Sequence, residues 1–337
     1  MKMASKRILL PQPIEAEAME LIKKSGCEIV LCPDPKPETV LPLMKGVQGI
    51  VLRTGIRMTR ELMGHADDLW VISRTGAGVD NVDVKAATEM GILVTCVPGA
   101  NTQTVVEHTL ALVLALVKQV PFMDREVRRD NFGIRFKNIP RDLNGKTLGI
   151  VGLGRIGSEL ARVCHQGLGM SILAHDPYLS PEAKAPFKGW VEFCDPERLF
   201  RESDVISLHI PFSSATEKLV GAQQLSWMKP DAFLVNTSRG GVIDEEALFQ
   251  FLKEKKIAGA GLDVFAQEPM EKDNPLKGLD NVILTPHTAA LTKECVTRLA
   301  VEAARSAIDV LNRKKPSEGI VNPEVLARPR WQGFPST

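Results

Sequence analysis

Lys146-Thr-Leu-Gly-Ile-Val-Gly152-Leu-Gly154-Arg-Ile-Gly157 is the stretch whose reading decides the fold. The apolar run Leu148, Ile150, Val151 meets glycines at 152, 154 and 157, and Ser158 to Cys164 continues with Leu160, Ala161, Val163 and Cys164 at helical spacing. That order predicts a strand, a tight turn and a helix. Gly152 lets the turn close, Gly154 lets a pyrophosphate come up against the backbone, and Gly157 lets the helix lie against the strand. The helix N-terminus, at Arg155 and Ile156, then offers free N–H groups to phosphate. A second apolar run, Ser171 to Ala174, ends in Asp176, 24 positions beyond Gly152, where an acid meets the ribose hydroxyls of a dinucleotide. Asp176 would repel a 2′-phosphate, and the following Pro177-Tyr178-Leu179 supplies no arginine to welcome one, so NAD is expected rather than NADP.

Outward from this stretch the same alternation repeats. Further strand candidates on its C-terminal side are Val205–Leu208, Ala232–Asn236, Gly259–Leu262 and Val282–Leu284, which with the first two make six, the count of a doubly wound dinucleotide domain. On the N-terminal side, Ile8–Leu10, Glu28–Leu31, Gly49–Leu52, Trp70–Ser73 and Ile92–Thr95 read as strands, with helical stretches such as Ile14–Lys24 and Val84–Met90 between them. Alternation of this kind argues for parallel sheets covered by helices on both faces. Thr102 to Arg129 reads as one long helix, buried where it starts. Pro98-Gly99-Ala100-Asn101 punctuates the chain before it, and a domain crossing is placed there. A last helix, Thr292 to Asn312, follows the final strand and returns to the first domain, and a Pro-rich tail is expected to be loosely held. The division is residues 1–102 with 289–337 for one domain and 103–288 for the other.

Length and composition agree. At 337 residues the chain exceeds one ordinary core, and 44% hydrophobic with 25% charged residues is a globular balance. Forty-two basic against 41 acidic residues leave a net charge of +1, which points to neither nucleic acid nor a membrane surface as partner. The six cysteines are scattered without a Cys-x-x-Cys pair or a Cys/His cluster at zinc spacing, so no metal is expected and reduced thiols in the cytoplasm are. The apolar run from Ile8 is far short of a signal-peptide core, and Leu110–Val117 is less than half a membrane span.

Three stretches place different polar groups at strand ends, where ligands sit in open α/β sheets. They are Asn236-Thr-Ser-Arg239-Gly-Gly, Gly261-Leu-Asp263-Val-Phe-Ala-Gln-Glu268-Pro and Thr285-Pro-His287-Thr-Ala-Ala. A guanidinium, a carboxylate and an imidazole form a set suited to hydride chemistry. Gly76-Ala77-Gly78 follows another strand and should expose consecutive N–H groups, a small nest for a carboxylate. Arg53 and Arg74 end neighbouring strand candidates, and two guanidiniums suit a substrate with a second anionic group such as a phosphate; they serve equally as salt-bridge partners. Of the remaining histidines, His65 and His165 read as solvated or helix-borne, His175 sits beside the ribose acid, and His108 packs within the long helix.

These motifs, with Arg74-Thr-Gly-Ala-Gly-Val-Asp-Asn-Val-Asp83, Asn101, Glu107-His108 and His209-x-Pro211, span nearly the whole chain. Together they resemble the D-isomer-specific 2-hydroxyacid dehydrogenases, nearest to the catalytic part of the D-3-phosphoglycerate dehydrogenase branch. The resemblance implies an α/β protein of two doubly wound parallel-sheet domains, a Rossmann NAD-binding domain and a flavodoxin-like substrate-binding domain, with a cleft between. It implies a homodimer that takes a small anionic 2-hydroxy or 2-oxo acid, with 3-phosphoglycerate the first substrate to try. Glyoxylate/hydroxypyruvate reductase is the rival activity, and an NAD(H)-sensing co-repressor-like binding protein the rival of another class. By resemblance His287 is the acid/base, Glu268 holds its tautomer, and Arg239 grips the substrate carboxylate. His209, Ile210, Pro211, Thr237, Asp263 and Ala290 match positions near the cofactor. Ala289 or Ala290 stands where the family often has glycine. No C-terminal regulatory domain is covered, so feedback control by serine is not expected.

Overall fold

The computed structural model describes residues 5–335 and divides into two units, residues 1–101 with 291–337 and residues 102–290. In the smaller unit short apolar runs make five parallel strands, β1 Arg7–Leu10, β2 Glu28–Leu31, β3 Gly49–Leu52, β4 Val71–Arg74 and β5 Leu93–Thr95, in the order β2-β1-β3-β4-β5. That is the flavodoxin-like order. The near-continuous burial of β1, β3 and β4 is what a sheet covered on both faces requires. One of those covers is the helix Lys293–Leu311, capped by the Thr292 side chain; its Ala300, Ala303, Ala304 and Ala307 are buried, and it lies over β3 and β4 and along the helix Ala16–Lys24. Small side chains allow that approach.

The C-terminal segment is anchored, contrary to the loosely held tail expected from its prolines. Ile320 bridges Thr95, and the buried Asn322 accepts from Val94 N (2.8 Å) while its amide donates to Ile92 O (3.0 Å) and Thr88 Oγ1 (2.8 Å). The segment so covers the open edge of β5. Trp331, 1% exposed, donates from Nε1 to Gly91 O (2.9 Å) and meets Trp70 and Phe334 edge-on, at centroid distances of 5.2 and 5.0 Å. The guanidiniums of Arg313 and Arg330 lie 4.2 and 4.0 Å from the Trp70 ring centroid. Proline composition carries no information about such long-range partners.

The larger unit holds seven parallel strands, β6 Thr147–Val151, β7 Ser171–His175, β8 Val191–Phe193, β9 Val205–Leu208, β10 Phe233–Asn236, β11 Gly259–Leu262 and β12 Val282–Leu284. Their order is β12-β11-β10-β9-β6-β7-β8, the doubly wound Rossmann arrangement with one strand more than the six expected. The added strand, β8, has three residues at the sheet edge, too short to show a period. Between Thr102 and Arg128 the structure also corrects the single helix. Two helices, Thr102–Val117 and Val120–Arg128, meet at a 55° bend, with Gln119 left-handed at φ 54°. Pro121 explains the break, since its ring and missing N–H oppose a helical bond back to Val117, while a proline is tolerated in the first turn of the second helix. The first helix has buried residues on several sides, and a Cβ at Gly261 would lie 3.2 Å from Leu112 Cβ, so helix and β11 are in close contact. Among the described residues no single helix is long and apolar enough to cross a membrane.

If Trp331 is the anchor of the C-terminal segment, Trp331→Ala should cost about 3–5 kcal/mol of unfolding free energy. Urea denaturation followed by circular dichroism measures this; a loss under about 1 kcal/mol would mean the segment is only loosely attached.

Candidate active site

All seven strands of the larger sheet run the same way, so every loop that follows one emerges at a single edge. The chain winds from β6 to β7 and β8 on one side and resumes at β9 on the other, which makes the end of β6 the switch point where ligands bind in open α/β sheets. Gly152 sits there at φ +90°, and a Cβ on it would stand 2.5 Å from His209 O. A Cβ on Gly157 would stand 2.1 Å from Gly152 O, so the helix Arg155–Leu168 can reach this position only with glycine. A Cβ on Gly154, the N-cap residue, would meet nothing within 4 Å. That open approach to the backbone, beside Arg155 and the half-buried Ile156, fits the pyrophosphate of a dinucleotide.

Asp176 follows β7 and ties the loop to it. Its Oδ2 accepts from Leu153 N (2.9 Å) and its Oδ1 from Tyr178 N (3.0 Å). After β9, His209 bonds Ser207 Oγ through Nε2 (2.8 Å), and desolvation lowers its pKa to about 4. The ring is therefore neutral at pH 7. Ile210 is half-buried under the glycine loop, while Pro211 O accepts from Thr216 Oγ1 (2.7 Å).

The remaining groups lie on three adjacent strand ends. After β10, Thr237 is buried and shares a 2.8 Å bond with Thr109 Oγ1. Asn236 shapes the turn by donating to Arg239 O (2.9 Å), and Arg239 Nη1 donates to Ser238 O (2.7 Å). Gly240 is required, because a Cβ there would fall 1.9 Å from Phe265 C. After β11 come Asp263 and Glu268, and after β12 comes His287. Glu268 Oε2 lies 2.7 Å from His287 Nδ1, and its Oε1 accepts from Phe265 N (3.0 Å). Burial would raise the Glu268 pKa, but the bond from His287 and the Phe265 N–H outweigh it and hold the carboxyl below its ordinary value. The two side chains remain accessible, His287 at 47% and Glu268 at 36%.

His287 has φ 54°, a left-handed conformation uncommon for a residue with a Cβ. Asp263 accounts for how it is held. The carboxylate, 0% exposed, accepts from Thr285 Oγ1 (2.6 Å), Thr288 N (2.9 Å) and Ala289 N (2.8 Å), and the Asp263 carbonyl accepts from His287 N (2.7 Å). Burial alone would raise its pKa; these donors together with His108 hold it below the ordinary value. Matched by resemblance to the cofactor site, Asp263 has this turn as its immediate contact, and Ala290 is half-buried just beyond. His108, read as packing within the helix, instead bonds Thr285 Oγ1 at 3.0 Å. The sequence signal for these partners was only that Thr-Pro-His-Thr follows a strand and that a polar residue interrupts an apolar helix.

In the smaller unit the expected anion groups are partly engaged. Arg53 pairs with Glu15 (Nη1 to Oε1, 3.2 Å), and Arg74 donates to Asn81 Oδ1 (2.9 Å) and Thr75 O (2.9 Å). Asn81 in turn donates to Arg53 O (2.8 Å), so one amide holds both arginine segments. Gly76 departs from the expected nest. It is buried and its N–H donates to Arg74 O (2.9 Å), so the accessible backbone there is that of Ala77 and Gly78.

A glycine loop, a strand-end acid and an accessible imidazole–carboxylate pair on one sheet edge define a dinucleotide-binding domain equipped for proton transfer. Residues 110–289 match the family model described as D-isomer specific 2-hydroxyacid dehydrogenase, NAD binding domain. The chain is 39% identical to the D-3-phosphoglycerate dehydrogenase of Archaeoglobus fulgidus over 94% of its own length and 59% of that relative's. It is also 39% identical to the glyoxylate reductase of Korarchaeum cryptofilum, over 89% of this chain and 90% of that one. The solved D-lactate dehydrogenase of Aquifex aeolicus, complexed with NAD and lactic acid, is similar with a TM-score of 0.80 at 29% identity, covering 91% of this chain and 96% of that one. The chain therefore belongs to the D-isomer-specific 2-hydroxyacid dehydrogenase family, with an NAD-binding Rossmann domain, and it spans about three-fifths of the length of the phosphoglycerate dehydrogenases it matches.

Gly154→Ala should leave the thermal midpoint unchanged, because its Cβ meets open space, yet weaken NADH at least about 10-fold by blocking the approach to the backbone. Fluorescence titration of NADH against a melting curve checks both halves; unchanged NADH affinity would take the dinucleotide away from this loop.

Proposed function

We propose that the chain is an NAD-dependent oxidoreductase that interconverts a D-2-hydroxy acid and its 2-oxo acid, with 3-phosphoglycerate the leading candidate substrate. The observation that carries this reading is the 2.7 Å contact between His287 Nδ1 and Glu268 Oε2 on the sheet edge that bears the glycine loop. An ionised carboxylate only accepts, so the proton of that bond belongs to Nδ1. Nε2 is then the atom that takes the substrate's hydroxyl proton, and in the reverse direction the imidazolium returns it to the 2-oxo oxygen. Glu268 keeps the tautomer correct in one direction and steadies the cation in the other. Arg239 holds the substrate carboxylate through a planar pair of N–H donors and polarises the 2-oxo group. Bound against Gly152, Gly154, Arg155, Ile156 and Gly157, NAD supplies the two-electron acceptor for the hydride. Asp176, with no arginine in the residues that follow it, supports NAD over NADP.

Arg53, Arg74, Ala77 and Gly78 are the proposed substrate contacts of the smaller unit. A second reading, glyoxylate/hydroxypyruvate reductase, draws support from the Arg53–Glu15 pair, because a guanidinium already neutralised by a carboxylate is a weaker site for phosphate. The relatives named above include both activities. We also propose a symmetric homodimer. Val120, Val127, Phe132, Phe136 and Ile139, between 51% and 76% exposed, crowd one short segment of the larger unit. Apolar exposure of that density marks an association surface.

Steady-state assays of NADH oxidation with glyoxylate, hydroxypyruvate and phosphohydroxypyruvate test the activity. His287→Ala should lower turnover by about 10²–10⁴ while NADH affinity stays within about 2-fold. Arg53→Ala should cost a phosphorylated substrate roughly 10-fold or more and glyoxylate little, and Glu15→Gln should favour the phosphorylated one. A fully active His287→Ala variant removes the proton-carrier role; equal effects of Arg53→Ala on all substrates remove the phosphate role. Analytical ultracentrifugation should find a dimer that Phe136→Glu with Ile139→Glu converts to monomer, and a wild-type monomer would refute the assembly.

A further inference from the structure

The hydroxyl of Thr285 stands at the middle of a hydrogen-bond chain that the proton-transfer pair does not itself use. Its Oγ1 lies 2.6 Å from Asp263 Oδ1 and 3.0 Å from His108 Nε2. The ionised, enclosed carboxylate of Asp263 can only accept, so the single hydroxyl proton of Thr285 goes to it. Toward His108 the threonine oxygen then has only lone pairs to offer. The proton of the His108 bond must sit on Nε2, which is also 3.4 Å from Asp263 Oδ1. The same carboxylate accepts the N–H groups of Thr288 and Ala289, the two residues directly after His287, whose left-handed backbone must be held by its surroundings. His108 is 23% exposed on a helix otherwise rich in Val and Leu, where an aliphatic side chain would serve packing alone.

We propose that His108 is a positioning residue: the chain His108 Nε2–H to Thr285 Oγ–H to Asp263 fixes the Thr285–Ala289 turn and, through it, the imidazole of His287. The inference rests on the reading of His287 as the proton carrier. It assigns His108 no contact with substrate or cofactor and no proton to move in the reaction. Removing its donor leaves Thr285 free to rotate away from Asp263, and the turn loses one of the bonds that oppose its left-handed residue.

The test compares His108→Leu with His108→Gln, whose amide N–H can still reach Thr285, and adds Thr285→Val and the double variant His108→Leu/Thr285→Val. Hydrogen exchange at the amides of Thr288 and Ala289, which needs no turnover, should quicken about 10-fold in His108→Leu and stay near wild type in His108→Gln. Turnover should fall about 10-fold in His108→Leu, with the NADH dissociation constant within about 2-fold, and recover to within about 3-fold in His108→Gln. The double variant should be no worse than about 2-fold below the poorer single one, because both break the same chain. Unchanged exchange and turnover in His108→Leu, equal losses in Leu and Gln, or multiplicative losses in the double variant each overturn the proposal. If His108→Leu does not fold, His108→Asn, whose amide is too short to reach, replaces it with the same expectations. An inactive His287→Ala beside an unimpaired His108→Leu rejects the positioning role alone, whereas an active His287→Ala rejects the reading of His287 on which it rests.

Discussion

How near the backbone of Gly157 can come to the carbonyl of Gly152 governs the carboxyl edge of the larger sheet. The distance at which a side chain would stand, 2.1 Å, excludes every residue but glycine. Only with that approach does the helix Arg155–Leu168 begin beside the N-cap Gly154, whose surroundings are clear. The carbonyl of His209 packs against Gly152 from the other side, so the ends of β6 and β9 are locked at the switch point. Asp176 then joins β7 to the same loop through Leu153 N. The start of the helix, the packing of the strand ends and the place of Asp176 follow from one steric condition.

On the opposite half of that edge the organising group is a buried charge. Asp263 has left water entirely, and a carboxylate does so only where donors replace the lost hydration. Those donors are the turn around His287. Satisfying the charge and holding the left-handed imidazole-bearing residue are thus one arrangement, and this keeps Glu268 opposite Nδ1 without Glu268 having to shape the backbone itself. Two acids, one and six positions past the end of β11, divide the work: the enclosed one fixes geometry, and the accessible one faces the imidazole of His287. The environments differ accordingly, fully buried against 36% exposed.

The smaller unit shows a different economy. Its Arg53 and Arg74 stand on neighbouring strand ends, but Glu15 and Asn81 already supply partners for them. Asn81 alone links the two segments, so the positions of both guanidiniums are coupled. The anchored C-terminal segment does comparable work at the other side of the sheet, where the Asn322 amide takes the place of another strand's backbone for β5.

The parallel α/β plan, the glycine loop, Asp176 and the succession of polar groups at strand ends were all legible in the order of residues. They rest on local regularities: apolar runs, glycine spacing and strand–helix alternation. Pro121 stands in the sequence as well, although Thr102–Arg129, apolar all round where it starts, reads as one helix. Short, edge or distant features were not legible. Three residues of β8 carry no period, Trp331 gives no hint that Gly91 awaits its indole, and Gly76 does not reveal that its N–H turns back to Arg74. Nor did a histidine inside an apolar helix disclose a partner 177 positions away. Residue types and their spacing determined what chemistry the chain carries; which donor meets which acceptor was decided only by the tertiary structure, because hydrogen bonds depend on angstrom-scale direction that folding alone supplies.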